Sequence, residues 1–351
     1  MLPKRIDIAG RKVGPGQPCF IIAEAGVNHN GSREIAMKMV DAAKAAGADA
    51  VKFQTFDAER TVTPDAPLAA YQRQAVDSDE SQFQMLKRLE LSPETHRELQ
   101  AYCRERDLLF LSTPFDEESA DFLEVLGIPA FKIPSGEITN LPFLEHVACK
   151  GRPMIVSTGM SSLEDVVTAV RTVEEADNDK LILLHCVSNY PADPSETNLR
   201  AMQTLREAFN VPVGYSDHTM GITVALAAVA LGACVIEKHF TLDRNLPGPD
   251  HRASLQPDEL TDLVRGIRMV EASLGHGRKE PTASEAGTAA VARKSLVAAR
   301  DIAAGSRLTE QDITVKRPGT GLPPSMLNHL VGRLAVKDIR ADTLLTLEMF
   351  R

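Results

Sequence analysis

The chain has 351 residues, 43% hydrophobic and 25% charged, the balance of a globular protein with one large domain and a smaller companion. Its net charge of −9 argues against nucleic acid or an anionic membrane as the main partner, because both call for a basic surface. The longest apolar run, Val224–Ile236, falls short of the ~20 residues of a membrane span, and Lys4, Arg5, Asp7, Arg11 and Lys12 leave no room for a signal peptide.

Apolar runs alternate with amphipathic stretches from the start of the chain. The strand-like runs are Cys19–Glu24, Ala50–Gln54, Leu108–Thr113, Ala130–Ser135, Met154–Thr158, Leu181–Cys186, Pro212–Ser216 and Cys234–Phe240. Between them the 3.6-residue period predicts helices over Ser32–Ala46, Pro93–Arg106, Asp116–Leu126, Ser161–Glu175, Ser195–Phe209, Thr219–Leu231 and Pro257–Leu274. The connection from Thr55 to Ser92 is long enough to carry structure of its own, and Ser81–Leu91 within it reads as a short amphipathic helix. Eight such βα units fit a (β/α)8 TIM barrel, of ~250 residues, better than a doubly wound sheet, whose glycine-rich phosphate fingerprint is missing after the first strand.

Residues 1–275 are therefore expected to form the barrel, with 276–292 as a linker and 293–351 as a small β-rich domain. In that last part Ala299–Thr309 (ARDIAAGSRLT) matches Val336–Thr346 (VKDIRADTLLT) at an offset of 37 residues, which predicts two related hairpin-like units with turns at Ala304-Gly305 and Ala341-Asp342. The five cysteines (19, 103, 149, 186 and 234) form no CxxC pair and read as buried thiols of a cytoplasmic protein.

In a TIM barrel the C-terminal strand ends carry the chemistry. Here those ends hold Glu24, Lys52 and Gln54, Ser112 and Thr113, Lys132, Ser135 and Glu137, Ser157 and Thr158, His185, Ser216 and His218, and Glu237 and His239. Lys52 and Lys132 ringed by hydroxyls make a seat for phosphate or carboxylate; a Schiff-base lysine is the rival use. His218 and His239 follow neighbouring strands and can share one divalent ion in an open site, with Glu237 and Asp217 as further ligands, orienting groups or simple caps. His185 is expected to fill a barrel layer, and Asn28-His29-Asn30-Gly31 to be either a substrate contact or a tight turn.

At IAEAGVNHNG (22–31), VKFQ (51–54), STPFD (112–116), FKIPSGEITN (131–140), STGM (157–160), HCVSNYP (185–191), GYSDHT (214–219), IEKHFTLDRNLPGPDHRASL (236–255) and KRPGTG (316–321) the sequence resembles the sialic acid synthases, bacterial nonulosonate synthases with a C-terminal antifreeze-like (SAF, β-clip) domain. The resemblance implies metal-dependent condensation of phosphoenolpyruvate with N-acetylmannosamine to give N-acetylneuraminate and phosphate. The alternative substrate is 2,4-diacetamido-2,4,6-trideoxymannose, as in legionaminic acid synthases; a different barrel aldolase or lyase is more remote. It implies that His218 and His239 hold the metal, usually Mn2+, with Mg2+ or Co2+ as other choices. Thr113, Lys132, Ser135, Ser157 and Ser216 would bind phosphoenolpyruvate beside Lys52, together with Ser188, where some members have Asn. Glu24 would move a proton, and Gln54, Glu137, Tyr190 and Asp250 would touch the sugar. Arg317 would come from the other subunit of a domain-swapped homodimer.

Overall fold

The computed structural model describes residues 5–69, 72–73 and 80–351; Lys4 and parts of the long Thr55–Ser92 connection lie outside the described residues. The chain divides into two compact units, Met1–Gly275 and His276–Arg351.

The first unit opens with an antiparallel hairpin of β1 (Ile6–Ile8) and β2 (Arg11–Val13), which the alternating pattern of longer strands does not announce. Eight parallel strands follow: β3 (Phe20–Gly26), β4 (Ala50–Thr55), β5 (Leu109–Pro114), β6 (Phe131–Ile133), β7 (Met154–Ser157), β8 (Leu181–Cys186), β9 (Val213–Asp217) and β10 (Val235–His239). They pair in the order β5-β4-β3-β10-β9-β8-β7-β6, a nearly closed TIM-like barrel with its seam between β5 and β6. Inside it Phe20, Ile22, Leu111, Ile155, Ile182, Leu184 and Val235 pack together, and Ile6, Ile8 and Val13 join that cluster, so the hairpin plugs the end where the strands begin. The larger core lies between strands and helices, where Val51, Phe53, Val156, Leu183 and Ile236 meet the buried stripes of the helices.

The helices start where capping chemistry directs: Ser32, Ser92 (followed by Pro93), Asp116 and Ser162 each accept a backbone N–H of the first turn. A helix over Leu141–Ala148 escapes the sequence reading because Pro142 interrupts the pattern; proline in a first turn is harmless, since that N–H has no helical partner. Two expected helices are shorter. The one read from Ser195 becomes a 3-10 turn at Pro194–Glu196 and a helix over Ala201–Phe209. The one read from Thr219 begins at Thr223, because the residues after β9 form the loop that carries His218. Of the five cysteines, Cys149 is exposed, which corrects the reading of all five as buried. None of the described helices is long and apolar enough to cross a membrane.

In the second unit β11 (Ser295–Ala298) pairs antiparallel with β12 (Ile313–Lys316). The 37-residue repeat is visible as an internal two-fold relation. Ile302 and Ile339, equivalent in the two repeats, exchange backbone hydrogen bonds of 2.8 Å. Asp301 accepts from the Ala341 N–H and Asp338 from the Ala304 N–H, at 2.8 and 2.7 Å. Ala298 and Ala335, Leu308 and Leu345, and Ile313 and Phe350 stand in the same relation within one core. Each repeat alone is too small to bury its apolar face; clasped together they share it. The segment expected as a linker carries a helix, Glu285–Ala292, and Gly319 donates to the Ala290 carbonyl.

Candidate active site

Strand register brings the charged groups together. Glu24 on β3 stands level with Lys52 on β4, and Glu237 on β10 is level with Ser216 on β9. The Lys52 ammonium accordingly lies 2.7 Å from the Glu24 carboxylate and donates to Thr113 Oγ1 at 2.8 Å. Ser216 Oγ donates to Glu237 Oε1 at 2.8 Å. Lys132 donates to Ser157 Oγ at 2.7 Å and to the Ile133 carbonyl at 3.1 Å, and sits 3.6 Å from Glu237. Lys52 lies 3.6 Å from the other oxygen of the same carboxylate, so Glu237 bridges the two ammonium groups. All four are buried, and together they balance in charge.

Burial pushes Glu24 up to about 7 against the pull of Lys52. Burial would push Glu237 up too, but Lys132 and Lys52 outweigh it and hold it down to about 2. Two buried carboxylates that share the Lys52 ammonium thus take opposite roles: one a fixed anion, the other able to carry a proton near neutrality.

A second cradle forms around Gly159. Its N–H donates to Ser135 Oγ at 3.0 Å, and Ser135 Oγ lies 3.1 Å from Cys186 Sγ. A Cβ at Gly159 would stand 2.3 Å from Ser188 Oγ, 2.7 Å from Ser135 Oγ and 2.9 Å from Cys186 Sγ. Only glycine leaves room for these side chains to converge beside Lys132. Ser188, a hydroxyl where some of the chains it resembles have Asn, therefore faces the same space as Ser135.

His218 and His239 stand side by side, ring centroids 5.5 Å apart, with the Tyr190 ring 4.2 Å from His218 and edge-on to His239. The Val187 carbonyl takes the Nδ1 proton of His218 at 2.6 Å, which leaves Nε2 with its lone pair, 3.5 Å from Ser216 Oγ. Buried Nδ1 of His239 has no hydrogen-bond partner and lies 4.0 Å from Asp250. Burial lowers both imidazoles below the usual histidine range, keeping them neutral and fit to ligate. Among the described residues no group of three or more His, Cys, Asp or Glu side chains forms a finished metal cage. The pair suits an open site, completed by water and substrate, rather than a closed structural one.

These residues line one cavity of about 460 Å3, with Gln54, Thr113, Ser157, Tyr190 and Asp250 on its surface. Two expected site residues are elsewhere. The Glu137 carboxylate accepts from Asn140 at 2.7 Å and does not line the cavity. Arg317 belongs to the second unit, where its guanidinium donates to the Ala292 carbonyl at 3.1 Å.

Strand alternation sends other polar ends outward. Ser112 joins Thr55 and His96 in a buried network under the helices, and Thr158 donates to the Leu184 carbonyl. His185, expected in a barrel layer, instead turns out to the Thr197 carbonyl at 2.8 Å, because its neighbour Leu184 is the inward residue. Asp217 is no metal ligand: it caps Thr219 and pairs with Lys238 at 2.7 Å. Asn28 is a turn staple, donating to the Phe240 carbonyl and Ser254; a side chain on Gly31 would strike the Arg88 carbonyl at 2.6 Å. What sequence reasoning missed is the cavity's apolar side, built from Phe56, Val62, Leu86 and Phe115. The amphipathic reading of Ser81–Leu91 held the one signal for it, realised as the helix Gln82–Leu89 with a Ser81–Gln84 capping box.

Residues 39–279 match the NeuB family and residues 293–351 the SAF domain. The N,N'-diacetyllegionaminic acid synthase of Legionella pneumophila is 49% identical, over 95% of each chain. Human N-acetylneuraminate-9-phosphate synthase is 39% identical, over 97% of this chain and 95% of its own. The solved structure of an N-acetylneuraminic acid synthetase from Leptospira borgpetersenii, in complex with citrate, is 36% identical and superposes with a TM-score of 0.73, covering 82% of this chain and 95% of its own.

Proposed function

Since the chain belongs to the NeuB family of phosphoenolpyruvate-condensing synthases, we propose that its cavity joins phosphoenolpyruvate to an N-acetylated hexose and releases phosphate. The observation that carries this reading is the pair of buried ammonium groups, each held on a hydroxyl, facing two neutral imidazoles across one cavity. His218 and His239 would hold a divalent ion, Mn2+ first, with Mg2+ or Co2+ as substitutes. When bound, that ion supplies Lewis acidity at the aldehyde oxygen of the open-chain sugar.

The chain's own residues do the rest. Lys132, Ser135, Ser157 and Ser188 seat the phosphate, with Thr113, Ser216 and Lys52 beside them; an anion arriving here takes over the cationic contacts that Glu237 holds in its absence. Gln54, Tyr190 and Asp250 border the space left for the sugar. The methylene carbon of phosphoenolpyruvate bonds to the sugar's aldehyde carbon, and the aldehyde oxygen takes up a proton. Water adds to the cation-like C2 and gives up one proton; the C2–O bond to phosphate then breaks as the new C2 hydroxyl passes its remaining proton to the departing phosphate, which leaves a ketone at C2. Glu24 is the group placed to move a proton in this sequence. Glu137, paired with Asn140, has a smaller part in this reading than the resemblance implied.

For the sugar, N-acetylmannosamine is one candidate and 2,4-diacetamido-2,4,6-trideoxymannose the other. The Legionella synthase, at 49% identity, favours the second over the sugar of the 39% identical human protein. Arg317 is assigned to the cavity of a second copy in a domain-swapped homodimer, and the buried thiols suit the reducing cytoplasm.

Phosphate release from phosphoenolpyruvate with each sugar in Mn2+ buffer tests the reading. The wild type is expected to turn over with at least one of them. His218→Ala is expected to lose turnover and Mn2+ binding by titration calorimetry, with its circular dichroism unchanged. Full turnover by His218→Ala in metal-free buffer refutes the metal site, and no release with any sugar refutes the condensation.

A further inference from the structure

The charged floor and the imidazoles engage the reacting ends of both substrates. They leave one side of the cavity without a role. Phe56 and Val62 follow β4, Phe115 follows β5, and Leu86 lies on the helix Gln82–Leu89; all four line the cavity. Phe56 and Phe115 meet edge to face, with centroids 6.0 Å apart, in an apolar cluster separate from both barrel cores.

Met85 and Leu89, each 1% exposed, already anchor that helix. Leu86, Val62 and Phe115 are half-buried, so they present apolar surface to the cavity that the fold itself does not need. The polar groups on this side are neutral. Thr61 donates to the Asp57 carbonyl at 2.7 Å, and the Gln72 carbonyl oxygen accepts from the Ala69 N–H at 2.9 Å; Gln54 and Gln82 are amides. Among the described residues the only ammonium or guanidinium groups lining the cavity are Lys52 and Lys132, both held on the floor.

On the condensation reading the sugar's aldehyde carbon lies between the imidazoles and the phosphate seat, and its remaining carbons occupy the rest of the same cavity, which this wall lines. A hydroxyl pressed on such a wall without a partner loses its hydrogen bond to water and gains none in return. A methyl group in its place leaves water for an apolar surface and is favoured there. A phosphate there meets no cation among the described residues of this chain that line the cavity; Arg317, assigned above to the cavity of a second copy, is the one guanidinium left to reach it.

We propose that Phe56, Val62, Leu86 and Phe115 form the subsite for the far end of the sugar, and that it selects N-acetylated hexoses whose distal carbons carry acetamido and methyl groups over those carrying hydroxyl or phosphate. This rests on the condensation reading above. The glutamine amides fit an acetamido group, and the apolar side chains fit its methyl and a deoxy carbon. Val62, Leu86 and Phe115 are specificity-determining; no proton passes through them.

The experiment compares kcat/KM, by phosphate release, for 2,4-diacetamido-2,4,6-trideoxymannose, N-acetylmannosamine and N-acetylmannosamine 6-phosphate. The wild type is expected to prefer the first over the second at least tenfold, with the phosphorylated sugar slowest. Val62→Thr and Leu86→Gln, which add polarity at nearly constant volume, should each reduce the first-to-second ratio about tenfold. The KM for phosphoenolpyruvate and the thermal midpoint should stay at wild-type values, and Leu86→Met should keep the wild-type ratio. A wild type that prefers either hydroxylated or phosphorylated sugar, or variants that slow both free sugars by the same factor, overturns the subsite. Absence of phosphate release with all three sugars is a different outcome, since it removes the condensation reading itself.

Discussion

His29 shows how a single side chain ties stability to pH. It is 1% exposed, and its Nδ1 accepts from the Gly31 N–H at 3.0 Å, which fixes a neutral tautomer inside the turn after β3. Burial drives it from its ordinary 6.5 down to about 3. Below pH 6.5 the unfolded chain takes up a proton at this position and the folded chain does not. The stability His29 contributes is therefore fully present above pH 6.5 and declines as pH falls toward 3, by about 1.4 kcal/mol per pH unit for each such proton. Glu24 has the opposite sign, because its raised value favours the folded state at low pH. The test is accordingly a difference: urea unfolding of wild type and His29→Gln at pH 7.5, 6.5 and 5.5. The variant should lose less stability than wild type on acidification, and equal slopes would contradict the assignment. None of this is legible in the letters NHNG, which equally describe an exposed turn; burial alone separates the two.

At the scale of elements, the alternation of β9 and β10 divides the work between two faces. Ser216, Glu237 and His239 point into the cavity, while Asp217 and Lys238 point out and form an ion pair with side chains 0% and 1% exposed. Asp217 also accepts from the Thr219 N–H and hydroxyl, at 2.9 and 2.8 Å. The residue between these clamps is His218, so the outward pair holds the loop that aims its imidazole. Lys238→Met should destabilise the protein by about 3–5 kcal/mol, because it strands a buried carboxylate. The double variant Lys238→Met/Asp217→Asn, which removes that charge, should recover a good part of the loss in urea unfolding. Equal losses in the single and double variants would show that the pair's charge is immaterial. The sequence shows polar residues at every strand end; which of them face the mouth depends on the pleat, and Ser112, Thr158 and His185 face the helices because their strands register that way.

At the scale of the molecule, the two units of one chain carry parts assigned to one chemistry, His218 in the first and Arg317 in the second. If Arg317 serves the cavity of a second copy, two dead variants can repair each other. Co-refolding Arg317→Ala with His218→Ala should regain about a quarter of wild-type phosphate release, since half of random dimers are hybrids and each hybrid holds one intact site of two. Arg317 acting within its own chain gives no intact site in any hybrid, so a mixture no better than its components rules out the exchange.

The barrel, the repeat in the small unit and the residues of the floor were determined by the sequence itself. Period, capping residues, polar strand ends and family motifs are local properties of the chain, and local properties survive without coordinates. The plug under the barrel, the outward turn of His185 and Asp217, the opposed protonation of Glu24 and Glu237, and the apolar side of the cavity were decided only by tertiary structure. Each depends on which groups distant in the chain share a small volume away from water, and burial and charge proximity are properties of that volume rather than of any one segment.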